Sequence, residues 1–331
     1  MKASFVAVDA GGTSTRAIVF DAKGTCLGRA LGAGANPFAV GNDAALEELA
    51  NTINKAVASC ISPNRIAGVT AALAGASRLQ SSQLERLLQQ SGLTCPVSFE
   101  SDQTAMYWSA GPQPTGCALI AGTGSAAIAM RDGKIAQIAD GGGWLIGDRG
   151  SGFWCGRAVA SAVLEHLDGT GPETALTKPV FTHYGLAPDD QDARELFIRQ
   201  VYDAPPRRLA ELARFVMAHQ DDPVAQSIID GARNALVATL ASVIRADTGG
   251  HIVLGGSIAL HLPGLREAIG AHLVSAGHTP SITSVKDGLV GAAHLLLEHD
   301  ATTRGIPRSW DERQSVFERL TATVGSFESS Q

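Results

Sequence analysis

Two short runs of glycine and hydroxyl residues share the same surroundings, and their chemistry suits anion binding. Asp9-Ala10-Gly11-Gly12-Thr13 follows an apolar run that predicts a buried strand, and Gly122-Thr123-Gly124-Ser125 follows a second such run. Glycine has no Cβ atom, so the backbone N–H groups of such turns can approach a phosphate closely. Each unit continues with another strand-like run and another glycine turn. The repetition predicts two turns that bind one polyphosphate.

For either run alone, a β-hairpin with an ordinary glycine turn is the simpler interpretation. The hydroxyl residues in both turns, and the carboxylate of Asp9 at the end of the first strand, favour anion binding. A second carboxylate, Asp102, follows the strand predicted at 97–100, where a catalytic base would be held rigidly. Its simpler role is to cap a helix predicted at 104–110.

Secondary structure must position these residues. Over the first ~110 residues, sequence patterns typical of strands alternate with patterns typical of helices, as in a mixed α/β layer. Ser82 with Glu85, and Ser309 with Glu312, have the spacing of helix capping boxes. Asp222-Pro223 predicts the start of a long helix, and Asp287 precedes another apolar helix. A Gly/Pro-rich break at 111–116 predicts the boundary between an N-terminal domain, 1–112, and a C-terminal domain, 113–300. We expect 301–331 to be a helix that packs back on the body, followed by a tail.

Composition excludes several classes of function. The chain has 331 residues, enough for two domains, with 45% hydrophobic and 18% charged residues, as in a soluble globular protein. The net charge of −6 gives no indication of a nucleic-acid partner. No apolar stretch is long enough to predict a membrane span. The five cysteines are scattered and form no CxxC pair, so we expect reduced thiols and a cytoplasmic protein.

The turns at 9–13, 121–125 and 254–257 resemble, in that order, the two phosphate motifs and the adenosine motif of the ATPase superfamily of actin, sugar kinases and heat-shock chaperones. The resemblance implies an α/β fold of two duplicated, ribonuclease H-like domains with a central nucleotide cleft. The chain is most similar to the BadF/BadG-type group, which includes N-acetylglucosamine and glucosamine kinases. The motifs that carry this resemblance are DAGGTST at 9–15, ANP at 35–37, LAGA at 73–76, SD at 101–102, IAGTGS at 120–125, GD at 147–148, GSG at 150–152 and LGGS at 254–257.

The resemblance implies a role for each matching residue. Asp102 matches the catalytic base, which accepts the proton of the attacking sugar hydroxyl, and Asp9 matches the carboxylate near Mg²⁺. The phosphate cradle corresponds to Gly11, Gly12, Thr13, Gly122, Thr123 and Gly124, and the adenosine side to Gly255, Gly256 and Ser257. The amino-sugar pocket corresponds to Asn36, Ala74, Gly75, Asp148 and Asp102. Asn36 could instead start a turn before Pro37, and Asp148 could instead brace its glycine loop.

The expected function is an ATP- and Mg²⁺-dependent amino-sugar kinase that phosphorylates the 6-hydroxyl of N-acetylglucosamine, and the family favours a homodimer. Such a transfer needs backbone N–H groups, Mg²⁺ and one carboxylate aimed at the nucleophile. Glucosamine remains an alternative substrate, because the tryptophan usual in the loop before Asp148 is replaced by Gly142, with Trp144 two residues later. A glutamate usually follows the aspartate, and here Arg149 does.

Two alternatives come from other classes of protein. Relatives in the broader family are ATP-driven activators of dehydratases that hold an iron–sulfur cluster through cysteines. Their cysteine is missing from the corresponding stretch, 119–124, and Cys117 lies too early in the chain. A non-catalytic ATP-binding sensor is the other alternative, and ATP turnover that is independent of any sugar would favour it.

Overall fold

The computed structural model describes residues 3–60, 65–187 and 192–325. They divide into two compact units, one from Met1–Gln113 with Asp287–Gln331 and the other from Pro114–Lys286. The predicted tail lies, from residue 326 onwards, outside the described residues. Within the described ranges, no helix has both the length and the apolar character needed to cross a bilayer.

The first unit is built on a five-stranded mixed sheet. Its strands are β1 (Ser4–Ala10), β2 (Ser14–Asp21), β3 (Cys26–Ala33), β4 (Ile66–Leu73) and β5 (Val97–Glu100). They lie in the order β3-β2-β1-β4-β5. The pairs β1–β2 and β2–β3 are antiparallel, whereas β1–β4 and β4–β5 are parallel. The carboxyl ends of β1, β4 and β5 therefore meet at one edge of the sheet, where Asp9 stands opposite Ala72 and Ala72 opposite Glu100.

Helices cover one face of this sheet. They are α1 (Pro37–Val40), α2 (Asn42–Ala58) and α3 (Ser81–Gln89), with a short 3-10 helix at Ala76–Arg78, whereas Ala105 of α4 (Asp102–Trp108) packs with Phe5 and Ala7 of β1 on the other face. Alternate residues of β1, Val6 and Val8, pack with apolar residues of α2 and α3, as the period of two in a strand requires. The predicted capping box of α3 is wrong. The helix begins at Ser81 without a side-chain cap, and the Glu85 carboxylate accepts from Val97 N–H at 3.0 Å instead.

The second unit repeats the plan of the first. Its strands are β6 (Gly116–Ala121), β7 (Ser125–Arg131), β8 (Lys134–Asp140), β9 (His251–Gly255) and β10 (Ser281–Val285). They lie in the order β10-β9-β6-β7-β8, with β6–β7 and β7–β8 antiparallel and β6–β9 and β9–β10 parallel. A meander of three strands extended by two parallel strands thus occurs twice, which confirms the duplicated α/β fold.

The second unit is rich in helices. They are α5 (Gly152–Asp168), α6 (Thr177–Tyr184), α7 (Ala193–Asp203), α8 (Ala213–Ala218), α9 (Pro223–Val243), α10 (Ser257–His261) and α11 (Leu265–Ser275), with a 3-10 helix at Pro206–Leu212. The predicted start of α9 is confirmed, because the Asp222 carboxylate accepts from Val224 and Ala225 N–H, both at 2.9 Å. Apolar residues of these helices form one core with alternate residues of β6.

Two C-terminal helices, α12 (Leu289–Thr303) and α13 (Trp310–Gly325), belong to the first unit. Their apolar residues pack on the other face of the first sheet, against Phe5 and Ala7 of β1. This grouping differs from the sequence-based boundary, which placed residues up to 300 in the second domain. A strand followed by a helix gives no local signal that the helix packs on a sheet formed far earlier in the chain. The capping box of α13 is confirmed, since Ser309 N–H donates to Glu312 at 2.8 Å and Glu312 N–H to Ser309 Oγ at 3.3 Å.

Candidate functional site

The first glycine turn joins β1 to β2 and leaves its backbone exposed. Gly11 N–H donates to Ser14 O at 2.9 Å, which closes the turn, and Gly11 O accepts from Ala35 N–H at 3.1 Å. Around Gly12, a Cβ atom would meet nothing within 4 Å. Gly11, Gly12 and Thr13 are all exposed. The turn is therefore rigid at its base and open on its outer side, which is what an anion needs to reach backbone N–H groups.

Asp9 is the carboxylate next to this turn. Its side chain is only 14% exposed, and the Arg16 guanidinium lies 3.8 Å from Asp9 Oδ2. Burial, followed by the negative charges of Asp287 and Asp102, raises the pKa of Asp9 to about 7, against the lowering effects of Arg16 and of the Gly288 N–H. Asp9 thus lies in a place with more negative than positive charge, where an added cation would be favourable.

Asp102 follows β5 and lies in the first turn of α4. The cap of this helix is Ser101, whose Oγ accepts from Thr104 N–H at 3.0 Å, so the simpler capping role belongs to Ser101 rather than to Asp102. Asp102 Oδ1 accepts from the adjacent Gln103 N–H at 3.0 Å. Burial raises the pKa of Asp102, and the Gln103 N–H opposes that rise. A largely enclosed carboxylate at the end of a strand is a suitable proton acceptor.

Asp287 is a third carboxylate of the first unit that the sequence analysis treated only as the residue before a helix. Its Oδ1 accepts from Leu289 N–H at 3.1 Å, and its Oδ2 lies 3.7 Å from Arg16 Nη1. The side chain is 13% exposed. The one signal in the sequence was an aspartate followed by glycine before a predicted apolar helix, a pattern that also fits an ordinary helix start.

The residues expected to form the sugar pocket of the first unit meet around Phe38. Asn36 Oδ1 accepts from Phe38 N–H at 2.9 Å and caps α1, which is the simpler role considered for Asn36. Gly75 has φ +79°, and a Cβ there would stand 2.6 Å from the Phe38 ring. Ala74 precedes Gly75 in the same turn after β4. The Phe38 ring itself is 67% exposed, with the Arg78 guanidinium 4.8 Å from its centroid. The structure thus brings Asn36, Ala74 and Gly75 together beside an exposed aromatic ring.

The second glycine turn joins β6 to β7 and is fixed against the start of α5. Gly122 N–H donates to Gly124 O at 2.9 Å, while Gly122 O and Thr123 O accept from the N–H groups of Gly152 and Phe153 at 2.7 and 3.1 Å. A Cβ on Gly122 would meet nothing within 4 Å. As in the first turn, the base is held by hydrogen bonds and the outer side is open.

Asp148 braces this turn. Its Oδ1 accepts from Ser125 N–H at 3.1 Å, and its own N–H donates to Asp140 at 2.7 Å. Burial raises the pKa of Asp148, the Ser125 N–H lowers it, and the charge of Asp140 raises it further. Asp148 has φ +56°, an uncommon conformation for a residue other than glycine. Its observed contacts match the bracing role, and its role toward a sugar stays a prediction.

The loop around Asp148 contains the three residues that differ from the pattern usual in the family, Gly142, Trp144 and Arg149. Gly142 is exposed and presents no side chain, while the Trp144 ring packs against Phe153 with centroids 5.5 Å apart. Arg149 lies with its Nε 3.5 Å from Asp140 Oδ2, and its N–H donates to the same oxygen at 3.0 Å. Trp144 therefore has a partner within the second unit.

The third glycine motif lies beside the second turn. Gly255 pairs with Ile120 where β9 runs parallel to β6. Gly256 has φ +87°, and a Cβ there would stand 2.5 Å from Ala121 O, so only glycine fits this close approach. Ser257 then begins α10. The structure thus places the motif of Gly255, Gly256 and Ser257 beside the second glycine turn at Gly122, within the second unit.

The donor set suits a magnesium–nucleotide complex. In such complexes Mg²⁺ is held by one or two carboxylates, with phosphate oxygens and water as the other ligands. Among residues 3–60, 65–187 and 192–325, no three His, Cys, Asp or Glu side chains form a metal cage. Asp9 supplies a carboxylate beside an open turn, and the positively charged guanidinium of Arg16 lies 3.8 Å from its Oδ2. These residues fit a partial site that a nucleotide would complete.

Two sheets of the same topology, each with an open glycine turn after its central strand, define an actin-like ATPase fold. The sequence profile of the BadF/BadG/BcrA/BcrD ATPase family matches residues 6–295. The chain therefore belongs to this family, which implies ATP binding.

Three relatives illustrate the similarity. Glucosamine kinase GspK of Vibrio cholerae is 30% identical over 181 residues, which cover 54% of this chain and 61% of that protein. The match thus spans less than two thirds of the Vibrio protein. N-acetyl-D-glucosamine kinase of Dictyostelium discoideum is 26% identical over 265 residues, 74% of this chain and 80% of the relative. The crystal structure of a candidate N-acetylglucosamine kinase from Porphyromonas gingivalis, 23% identical, superimposes with a TM-score of 0.70 over 90% of this chain and 99% of that one.

Proposed function

We propose that this protein is an ATP- and Mg²⁺-dependent amino-sugar kinase that phosphorylates the 6-hydroxyl of N-acetylglucosamine. The observation that carries the proposal is the position of Asp102. It follows β5 at the sheet edge where β1 delivers Asp9, and its helix is capped by another residue, Ser101. The names of the relatives from Vibrio and Dictyostelium support an amino sugar as the acceptor.

The proposed reaction assigns one task to each group. Asp102 accepts the proton of the attacking sugar hydroxyl as that oxygen bonds to the γ-phosphorus of ATP. The open backbone N–H groups of the turns at Gly12 and Gly122 hold phosphate oxygens, and Gly256 lies on the adenosine side. Asp9 would hold Mg²⁺, directly or through water, and a metal held there would supply charge neutralisation for the transferred phosphoryl group.

The enclosure of Asp102 suits its task. Burial raises the pKa of its carboxyl, which makes the ionised carboxylate a stronger base. The exposed Phe38 ring lies beside Asn36 and Gly75, which are expected to contact the sugar. We assign Phe38 to the wall against which the pyranose ring packs.

Glucosamine is the second candidate substrate. It is favoured by Gly142, which offers no side chain to an acetamido group, while Trp144 packs on Phe153. The Vibrio relative is a glucosamine kinase, which supports the same alternative. Because both sugars present the same 6-hydroxyl, this alternative changes the substrate and leaves the roles of Asp102 and Asp9 unchanged.

ADP release with Mg-ATP tests the proposal, with N-acetylglucosamine, glucosamine, glucose and no sugar as four arms. Phosphorus NMR of the product identifies the phosphorylated hydroxyl. We expect turnover with N-acetylglucosamine, and a loss of about a hundredfold or more in Asp102→Asn with ATP binding retained. Turnover with glucosamine alone would select the second candidate. Sugar-independent turnover, or near-normal activity of Asp102→Asn, would reject the proposed mechanism.

A further inference from the structure

Two carboxylates of the first unit share one loosely held cation. Arg16 Nη1 lies 3.8 Å from Asp9 Oδ2 and 3.7 Å from Asp287 Oδ2, both beyond hydrogen-bond distance. The carboxylates are enclosed, at 14% and 13% exposure, whereas the Arg16 side chain is 45% exposed. The guanidinium therefore lies on the solvent side of both oxygens and can leave without disturbing the core.

The other side of each carboxylate is fixed by the backbone that starts α12. Asp287 Oδ1 accepts from Leu289 N–H at 3.1 Å, and the Gly288 N–H donates to the Asp9 carboxylate. A Cβ on Gly288 would stand 2.9 Å from Asp9 Oδ1, so the approach requires glycine at this position. Both Oδ1 atoms thus lie against residues 288–289, and both Oδ2 atoms face Arg16.

The charges favour replacement of the guanidinium by a divalent cation. When both carboxylates are ionised, one guanidinium leaves one negative charge uncompensated, whereas a divalent cation balances both charges. In each carboxylate, Oδ1 lies against the backbone of residues 288–289 and Oδ2 faces Arg16. Carboxylate oxygens are the ligands that Mg²⁺ and Mn²⁺ use alongside phosphate oxygens. A helix cap alone explains the Leu289 contact of Asp287 but not the convergence of its second oxygen with that of Asp9.

We propose that Asp287 is the second carboxylate of the site at which Asp9 meets the divalent cation of the nucleotide, and that Arg16 is the counter-ion this cation displaces. The inference rests on the proposed use of a metal–nucleotide complex. It assigns a role to Asp287 and Arg16 that is independent of which sugar is phosphorylated.

Binding of Mn²⁺ in the presence of ADP, followed by electron paramagnetic resonance and without any sugar, tests this inference. Asp287→Asn keeps the Oδ1 that accepts from Leu289 and removes the charge. We expect it to weaken Mn²⁺ binding by roughly tenfold or more. Arg16→Gln removes the competing cation, so we expect it to tighten Mn²⁺ binding. Asp43→Asn, which removes an exposed carboxylate from the first turn of α2, is the matched control and should bind Mn²⁺ as the wild type does.

Titration calorimetry of ADP in the presence of a chelator completes the test. Metal-free ADP affinity should stay within about threefold in Asp287→Asn, because the residue is assigned to the cation and not to the nucleotide. Wild-type Mn²⁺ affinity in Asp287→Asn would overturn the role of Asp287. Weakened or unchanged Mn²⁺ binding in Arg16→Gln would overturn the role of Arg16. Because no sugar is present, these results stand apart from failure of the kinase proposal, which only the sugar assay can show.

Discussion

Gly124 lies directly against the carboxylate of Asp148. A Cβ atom on Gly124 would stand 2.9 Å from both Asp148 carboxylate oxygens, closer than real Cβ contacts allow. The same carboxylate accepts from Ser125 N–H at 3.1 Å, so glycine at 124 lets Asp148 hold the next residue of the turn. The shape of the second glycine turn thus depends on a missing side chain and on one hydrogen bond.

Gly124→Ala should therefore impair nucleotide binding more than folding. The added methyl group forces either Asp148 or the turn to move, and we expect the KM for ATP to rise about tenfold or more. Gly270→Ala is the matched control, because Gly270 lies inside α11 and its Cβ would meet nothing within 4 Å. It should leave the KM unchanged and raise the free energy of unfolding by about 0.5–1 kcal/mol. A wild-type KM for ATP in Gly124→Ala would contradict the role of this contact.

The sequence predicted the duplicated fold and the glycine turns because both depend on local chemistry. A strand followed by glycine is recognisable in isolation, and its repetition revealed the second sheet. The packing of α12 on the first sheet was not predictable in this way, since Leu289 and Leu297 join one apolar cluster with Phe5, which lies about 280–290 positions earlier in the chain. The capping box at Ser82 failed for a related reason, because Glu85 has a stronger partner in the backbone of Val97.

In the candidate site, too, residues in local motifs were predictable and residues that only the fold brings together were not. Asp9 and Asp102 were recognisable from their motifs, whereas Asp287 was not, because a single aspartate before a helix is usually a cap. Its convergence with Asp9 on Arg16 exists only in three dimensions. The surroundings of Phe38 show the same contrast. The hydrogen bond from Phe38 N–H to Asn36 is local and predictable, whereas the packing of Gly75 against the Phe38 ring depends on the fold.

Phe38→Ala should raise the KM for the sugar and leave the KM for ATP unchanged. The ring is 67% exposed beside the loops assigned to the sugar, and an aromatic contact contributes on the order of 1 kcal/mol, which corresponds to about fivefold in KM. Steady-state kinetics with each substrate varied in turn provides the measurement. Tyr202→Ala, which removes an aromatic residue 84% exposed on α7, is the control and should change neither constant. An unchanged KM for the sugar in Phe38→Ala would remove Phe38 from the sugar pocket.

The proposed kinase activity should decline in weak acid. Asp102 accepts a proton only when it is ionised, and burial raises its pKa, so kcat/KM for the sugar should fall with decreasing pH from a higher pH than an ordinary carboxyl group would give. Initial rates at saturating Mg-ATP across the pH range give this profile. Asp102→Glu should keep an acid limb at lower activity, and Asp102→Asn should leave a residual rate without it. Undiminished kcat/KM down to roughly pH 4 would mean that Asp102 is not the base.

His294 should make the first unit less stable in acid. It lies on α12, is 2% exposed, and stacks on Trp108 with centroids 5.0 Å apart. Burial, aided by the charges of Arg313 and Arg308, lowers its pKa to about 4. The unfolded chain, with a pKa of about 6.5, then binds more protons than the folded chain, so stability is full above pH 6.5 and falls as the pH drops toward 4.

The size of this effect can be measured by urea unfolding of wild type and His294→Phe at several pH values. The shift predicts a total loss of roughly 3 kcal/mol in the wild type that is absent from His294→Phe, where the ring still stacks on Trp108. Burial also raises the pKa of Glu298, but this residue is present in both proteins. The difference in their free energies of unfolding therefore reports on His294. His272→Gln, which changes an exposed histidine on α11, should keep the wild-type dependence. Equal pH dependence in wild type and His294→Phe would show that His294 is not buried in its neutral form.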